Sequence, residues 1–223
     1  MIHIHYFITR KPTHDDASFH RYWRETHGPI AGRIRQVHRY VQSHRIPYDG
    51  SNSPYDGEAE VMIDDLQALA DLRTSKEYLE GALADERNFI DLRRVEWMAT
   101  TDHAITEGPA GDHLIKGVWQ IKRKPGMALA EFRRYWREVH GPIAAALPGL
   151  RRYVQSHLID DAYLYAEPRF DGVAQLWFDS PEAMRAAFES PAGTASGEDS
   201  AKFVDQASQW MLVAREHTVV ASK

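Results

Sequence analysis

The sequence contains no cysteine, which excludes disulfide bonds, thiolate metal sites and a cysteine nucleophile. It has no run of about 18 apolar residues, so we expect no membrane-spanning helix. The first residues, MIHIHYFITRKP, lack the basic leader, apolar stretch and small-residue cleavage site of a secretory signal. A cytoplasmic protein with no membrane partner is therefore expected.

Basic residues are not in excess either. The 27 Lys and Arg stand against 32 Asp and Glu, a formal net charge of −5, so we expect no nucleic-acid partner. There is also no P-loop, no glycine-rich dinucleotide turn after a strand and no nucleophile elbow, which argues against kinases, Rossmann dehydrogenases and α/β-hydrolases. With 43% hydrophobic and 26% charged residues, the composition is that of a globular protein.

The chain is an internal repeat. Residues 10–44 and 123–157 align without a gap at an offset of 113, and 21 of these 35 positions are identical. The segment 107–113, EGPAGDH, has the composition of a linker. We therefore predict one unit over residues 1–106, the linker, and a second unit over residues 114–223.

Each half is predicted to run strand, helix, strand, strand, helix, strand. The strands of the first half are expected at 3–10, 39–46, 58–63 and 95–103, because these runs are rich in β-formers. The first helix is predicted to start at the capping sequence beginning with Thr13 and to end at Gly28-Pro29. The second helix is expected over 66–91, with a break near Thr74-Ser75, and Asp179-Ser180-Pro181 is expected to begin its counterpart.

This element order predicts an α+β fold made of two ferredoxin-like βαββαβ units. Each antiparallel sheet would have helices on one face only. Two tandem copies can cover their bare sheet faces together, so we expect an intrachain pseudo-dimeric α+β barrel. The chain would then be a monomeric pseudo-dimer or would form homodimers.

The repeated motif resembles the EthD family of the dimeric α+β barrel superfamily. It is F-x-R-Y-W-R-E-x-H-G-P, followed by R-Y-V-Q-S-H, and it occurs at residues 19–44 and again at 132–157. The resemblance implies the tandem barrel fold. Similar proteins include polyketide cyclases and dehydratases, a muconolactone isomerase and heme-binding enzymes, so the resemblance constrains the fold more than the function.

His27 and His140 precede Gly-Pro in the two halves. We expect them at the C-terminal end of the first helix, where the helix dipole would raise the imidazole pKa and allow proton transfer near neutrality. The alternative is a histidine that only caps the helix.

A polar row alternates along the second strand of each half, with side chains on one face of the sheet. The row is Tyr40, Gln42 and His44 in the first half and Tyr153, Gln155 and His157 in the second. The resemblance implies proton transfer by the Tyr and His members. We expect the Gln to bind the ligand by holding, with the Tyr, a developing oxyanion. The alternative is a hydrogen-bonded structural row.

Further ligand-binding candidates are aromatic or lie on the first strand. Tyr22 with Trp23, and Tyr135 with Trp136, form either core packing or an aromatic wall. His3 and His5 share one strand face and are expected under the helix, on the floor of any cavity there, where the second half has Lys116 and Val118. We therefore expect the first half to be the more polar and the more likely active site, and the second half to be a packed or altered copy. Neither a bound metal nor a cofactor is predicted.

These features favour a cofactor-independent acid–base enzyme, an isomerase, dehydratase or cyclase that acts on an apolar oxygenated small molecule. The alternatives are a non-catalytic binding protein for such a molecule and, less favoured, a heme-binding protein.

Overall fold

The computed structural model describes residues 1–164 and 166–221. Its strands are β1 (Ile2–Ile8), β2 (Arg39–Arg45), β3 (Gly57–Ile63), β4 (Glu96–Thr106), β5 (Ile115–Ile121), β6 (Arg152–Leu158), β7 (Gly172–Phe178) and β8 (Trp210–Val220). They hydrogen-bond in the order β1-β3-β2-β8-β5-β7-β6-β4 and close an antiparallel barrel. The predicted α+β barrel of two ferredoxin-like repeats is confirmed.

The α-helices follow β1, β3, β5 and β7, two after each strand. They are α1 (Asp16–Tyr22), α2 (Gly28–Ala31), α3 (Leu66–Thr74), α4 (Leu83–Phe89), α5 (Leu129–Arg134), α6 (Gly141–Ala145), α7 (Pro181–Glu189) and α8 (Pro191–Phe203). π-helical turns at Trp23–His27, Glu77–Ala82 and Tyr135–His140 lead directly into α2, α4 and α6.

Two compact units make up the chain. The first contains residues 1–45, 53–99 and 216–223, and the second contains residues 46–52 and 100–215. Residue 165 and the last two residues of the predicted second domain lie outside the described positions. The predicted domains, 1–106 and 114–223, are bounded by the sequence repeat. The compact units are defined instead by which residues lie close together in space.

In the first unit, β1 pairs with β3, and β3 with β2, all antiparallel. Alternation along β1 sends Ile4 and Tyr6 toward the helices and His5 to the opposite face. Phe19, Trp23 and Phe89 are almost fully buried in the core that fills the space between helices and sheet.

The second unit repeats this arrangement. β5 pairs with β7 and β8, and β7 with β6, and the core includes Phe132, Trp136 and Phe203. Ser180 caps α7, as predicted, since its hydroxyl accepts a hydrogen bond from the Ala183 N–H.

Two predicted helix ends were wrong. α1 begins after Asp15, whose carboxylate accepts from the Ser18 N–H at 2.7 Å, and not at Thr13. The helix also does not end at Gly28-Pro29, because it continues through α2 to Ala31. The break near Thr74-Ser75 is confirmed, since Ser75 is extended.

Candidate active site

Trp23 is held over β2 and β3 by backbone and side-chain contacts. A Cβ atom at Gly57 would collide with the Trp23 ring, so glycine is required beneath the indole. The Gln42 Nε2 donates to the Trp23 carbonyl at 2.9 Å, and the Gly28 N–H donates to the same carbonyl across the π-helical turn. The turn accommodates Pro29, which has no N–H to donate and crowds a regular helix.

Tyr40 receives two hydrogen bonds from this framework. The Trp23 Nε1 donates to the Tyr40 oxygen at 3.3 Å and the Gln42 Nε2 at 3.0 Å. Because both neighbours are donors, the phenolic proton of Tyr40 can be given to another acceptor. Burial raises the pKa of Tyr40 to about 12, so it acts as a neutral donor at neutral pH.

A cavity of about 450 Å³ lies in the first unit, within the range of small-molecule sites. Its wall is mainly apolar, with residues such as Ile4, Ile8, Ile34, Val37, Val61 and Leu72. The polar or charged side chains of the described lining are Tyr6, His27, Tyr40, Arg73, Tyr78 and Glu86, together with the indoles of Trp23 and Trp97.

Glu86 is the unusual group of this cavity. It is 6% exposed, and its Oε2 accepts a hydrogen bond from the Tyr6 hydroxyl at 3.2 Å. Burial raises the pKa of Glu86 to about 7, opposed by the Tyr6 hydrogen bond. The same burial, with the nearby Glu86, raises the pKa of Tyr6. A carboxyl group that titrates near neutrality inside an apolar cavity is suited to accept and return a proton.

His27 lines the same cavity and is supported from behind. Its Nδ1 lies 2.9 Å from Asp85 Oδ2, and Asp85 Oδ1 accepts from the Tyr22 hydroxyl at 2.7 Å. The expected rise in pKa was wrong: burial lowers the pKa of His27, although Asp85 opposes the shift. The helix does not end at His27, so the dipole argument fails there and equally at His140, whose pKa burial also lowers.

The predicted row on β2 shares one face, as expected, and forms a continuous hydrogen-bond chain. The His44 Nε2 lies 3.2 Å from Gln42 Oε1, and the His44 Nδ1 lies 2.9 Å from the His20 Nδ1. Burial, together with His20, lowers the pKa of His44 to about 3. Tyr40 lines the cavity with His27, but His44, Gln42 and Tyr22 are not among its lining residues.

The placement of His3 and His5 as a cavity floor was wrong, because these side chains lie on the sheet face opposite the helices. His5 Nδ1 lies 2.6 Å from Glu58 Oε1, and His3 Nε2 lies 3.6 Å from Glu60 Oε2. His5, Glu58 and Glu60 are buried and offer ligand atoms within 4.8 Å of one another. They are the described residues of this unit best placed to hold a metal ion.

The second unit keeps the polar framework of the first. Asp199 lies 3.0 Å from the His140 Nδ1 and accepts from the Tyr135 hydroxyl at 2.8 Å. The Gln155 Nε2 donates to the Trp136 carbonyl and to the Tyr153 hydroxyl, both at 2.8 Å. Tyr135, His140, Tyr153 and Gln155 therefore keep the hydrogen-bond partners of their first-half counterparts.

The side chains that would line a second copy of the cavity have changed. Trp119 stands where the first half has Tyr6, and Phe188 where it has Arg73, and their ring centroids are 5.5 Å apart. The Trp119 ring also lies over Gly117, the counterpart of Ile4. Aromatic rings thus occupy the space, and Ser200 replaces Glu86.

Sequence reasoning missed Tyr6, Asp85 and Glu86. A signal was available, because Ala82, Asp85, Glu86 and Phe89 follow the i, i+3, i+4, i+7 spacing of a buried helix face. Two adjacent carboxyl groups on such a face require partners or altered pKa values.

The sequence matches the EthD domain model twice, over residues 11–93 and 124–207. The chain belongs to the EthD family. No curated protein matches it significantly.

Solved structures share the fold of this EthD protein at low identity. An anthrone oxidase-like protein has a TM-score of 0.64 at 11% identity, covering 100% of this chain and 94% of its own. A candidate monooxygenase from Fusobacterium nucleatum scores 0.63 at 8% identity, with 97% and 93% covered. A heme-binding protein from Thermus thermophilus scores 0.55 at 10% identity, with 96% and 90% covered.

The helices of this EthD protein are too short or too polar to cross a membrane, as judged over residues 1–164 and 166–221.

Proposed function

We propose that this EthD protein is an acid–base enzyme that moves a proton on an apolar, oxygenated small molecule bound in the first-half cavity. The observation that carries the proposal is Glu86, a buried carboxyl with a pKa of about 7 in the wall of an apolar cavity of about 450 Å³. The expected reaction classes are isomerisation, dehydration and cyclisation. Each of them can begin with removal of a proton α to a carbonyl.

In this mechanism the Glu86 carboxylate takes the proton from the substrate carbon, and the electron pair moves to the carbonyl oxygen. Because its pKa is about 7, Glu86 is ionised in a large fraction of molecules at neutral pH and can return the proton later. The Tyr6 hydroxyl orients the carboxylate through its 3.2 Å hydrogen bond. Tyr40 supplies a phenolic proton for the developing oxyanion.

His27 is a second proton acceptor in this proposal. With its Nδ1 proton donated to Asp85, the neutral imidazole has its lone pair on Nε2. The pKa of His27 is lowered by burial, so the neutral form predominates at pH 7. The roles predicted for His44, His140, Tyr153 and His157 remain proposals, and for the last three the changed side chains of the second half argue against catalysis.

Deuterium exchange tests the proposal without requiring knowledge of the reaction direction. Flat aromatic ketones would be incubated with the protein in D₂O, and incorporation α to the carbonyl followed by NMR. We expect Glu86→Gln to slow exchange by about 10²-fold or more, since it removes the proton acceptor.

His27→Gln and His140→Gln form a matched pair for the same assay, because their Asp and Tyr partners are equivalent. We expect loss of exchange only for the first. Equal exchange in wild type and Glu86→Gln would refute the assignment of Glu86.

A non-catalytic binding protein is the alternative, and the apolar wall of the cavity favours it equally. Quenching of tryptophan fluorescence that is lost in Trp97→Phe would report binding, because Trp97 lines the cavity and is 48% exposed. Saturable quenching by the ketones without any deuterium exchange would support carriage of the ligand instead of turnover.

Heme was the third possibility, and the cavity residues do not fit it. His27 would meet the need of heme for an axial ligand, but the two propionates need cations, and the described lining has one guanidinium, Arg73. The buried Glu86 would add a further negative charge.

A further inference from the structure

A second cavity, of about 500 Å³, lies in the second unit and has a different character. Arg133, Arg134 and Arg137 line it from one helical segment, and His103 and His157 line it from β4 and β6. The one carboxylate among its described lining residues is Asp160, and Arg137 also contacts Glu138 at 3.0 Å. The described lining thus contains three guanidinium groups and one carboxylate.

Arg133 retains a donor that is unused. Its two terminal nitrogens are engaged, with Asp160 Oδ1 at 2.6 Å and with the Leu158 carbonyl at 2.5 Å. Its Nε is buried and has no hydrogen-bond partner among the described residues. A buried N–H without a partner is costly, and an acceptor in the cavity would satisfy it.

The tautomer of His157 follows from its neighbours. The Gln155 Nε2 donates to the Trp136 carbonyl, which fixes the amide orientation and leaves Oε1 as an acceptor. The His157 Nε2, 3.3 Å from that oxygen, must carry the proton. The Nδ1 is then an acceptor, and it has no hydrogen-bond partner within the described part of the chain.

In the first half, the Nδ1 of the equivalent histidine, His44, has a hydrogen-bond donor. There the His44 Nε2 bonds to Gln42 in the same way, and the His44 Nδ1 accepts from the His20 Nδ1 at 2.9 Å. Arg133 occupies the position equivalent to His20, but its guanidinium donates to Asp160 and not to His157. The second half has therefore lost the internal donor while gaining a guanidinium.

We propose that this cavity binds a small oxyanion that carries its own O–H group. The arginines supply donors and positive charge for the anionic oxygens, and the hydroxyl donates to His157 Nδ1. Hydrogen phosphate and α-hydroxy carboxylates both have this chemistry. The two cavities share no lining residue in the described part of the chain, and the proposal does not depend on the function proposed for the first-half cavity.

Calorimetry on the full chain tests the proposal with paired probes. Phosphate retains a proton at pH 7, whereas sulfate of similar shape has none, and glycolate has the hydroxyl that acetate lacks. We expect tighter binding of the hydroxyl-bearing member in at least one pair. A preference within the phosphate pair would indicate a phosphate ligand, and one within the glycolate pair a hydroxy acid.

Two variants locate the site. Arg134→Gln is expected to weaken binding about 5-fold or more, while Arg21→Gln, its exposed first-half counterpart, should have no effect. His157→Phe should abolish the preference for the hydroxyl-bearing probe. Absence of binding at roughly 10 mM, equal affinity within both pairs, or equal losses in Arg134→Gln and Arg21→Gln would overturn the proposal.

Discussion

Asp85 and Glu86 are consecutive residues on α4, yet their surroundings differ. Asp85 is contacted by His27, Tyr22 and the Asn88 amide, whereas the hydrogen bond found for the Glu86 side chain comes from Tyr6. A single hydrogen bond does not replace the hydration that a carboxylate loses on burial. The local sequence predicts two carboxyl groups on a buried face, but only the fold distinguishes the supported one from the desolvated one.

Glu86→Gln is expected to change how stability depends on pH. Because the folded pKa is raised from 4.5 to about 7, the folded state binds the proton more tightly than the unfolded chain. The stability contributed by the protonated form is fully present below the unfolded value of 4.5 and is lost as pH rises toward 7. The loss would amount to about 3 kcal/mol.

The measurement is urea unfolding of wild type and Glu86→Gln between about pH 4 and pH 8. The difference between the proteins should grow in favour of the variant as pH rises. A difference that does not vary with pH would show that Glu86 titrates at its ordinary value.

His44 and His157 are expected to stay neutral across the physiological range. Burial lowers the pKa of each to about 3, with His20 adding to the effect at the first and His103 at the second. Imidazole NMR signals of these residues should show no titration between about pH 5 and pH 8. A midpoint near 6.5 for either histidine would contradict the burial argument.

At the level of elements, the sequence predicts all eight strands, because β-rich runs and the repeat reinforce each other. The helix end at Gly28-Pro29 was predicted wrongly, since Gly-Pro commonly stops a helix. Here a π-helical turn absorbs the proline, and the Gln42 amide occupies the carbonyl of Trp23. Gln42 lies on β2 and is distant from Trp23 in the sequence, so the local sequence around Gly28-Pro29 could not predict this hydrogen bond.

Gln42→Ala should therefore destabilise the protein, as should Gln155→Ala at the equivalent position. Each change leaves a Trp carbonyl, a Tyr hydroxyl and a His Nε2 without the amide partner. We expect a cost of about 1–3 kcal/mol in each half, measured by urea unfolding. An exposed change such as Gln67→Ala serves as the control, and a cost no greater than that of the control would contradict a structural role for the amides.

At the level of the whole molecule, the repeat was sufficient to predict the barrel, but the difference between halves came from unexpected residues. The sequence comparison pointed to His3 and His5, which lie on the sheet face opposite the helices. The differences that determine which half keeps the apolar cavity are two. Trp119 replaces Tyr6, and Phe188 replaces Arg73, and in the sequence both look like ordinary aromatic and surface substitutions. Their effect depends on the facing helices, and only the fold brings these together.

Exchanging the two key residues tests which half binds the ligand. Tyr6→Trp should fill the first-half cavity, as Trp119 does in the second, and should abolish ketone binding while largely preserving stability. Trp119→Ala should cost about 3 kcal/mol through the space it leaves, but should not weaken ketone binding. Calorimetry measures the binding and thermal unfolding the stability. If Trp119→Ala abolishes binding at a temperature where it remains folded, while Tyr6→Trp binds as wild type does, the functional half is the second one.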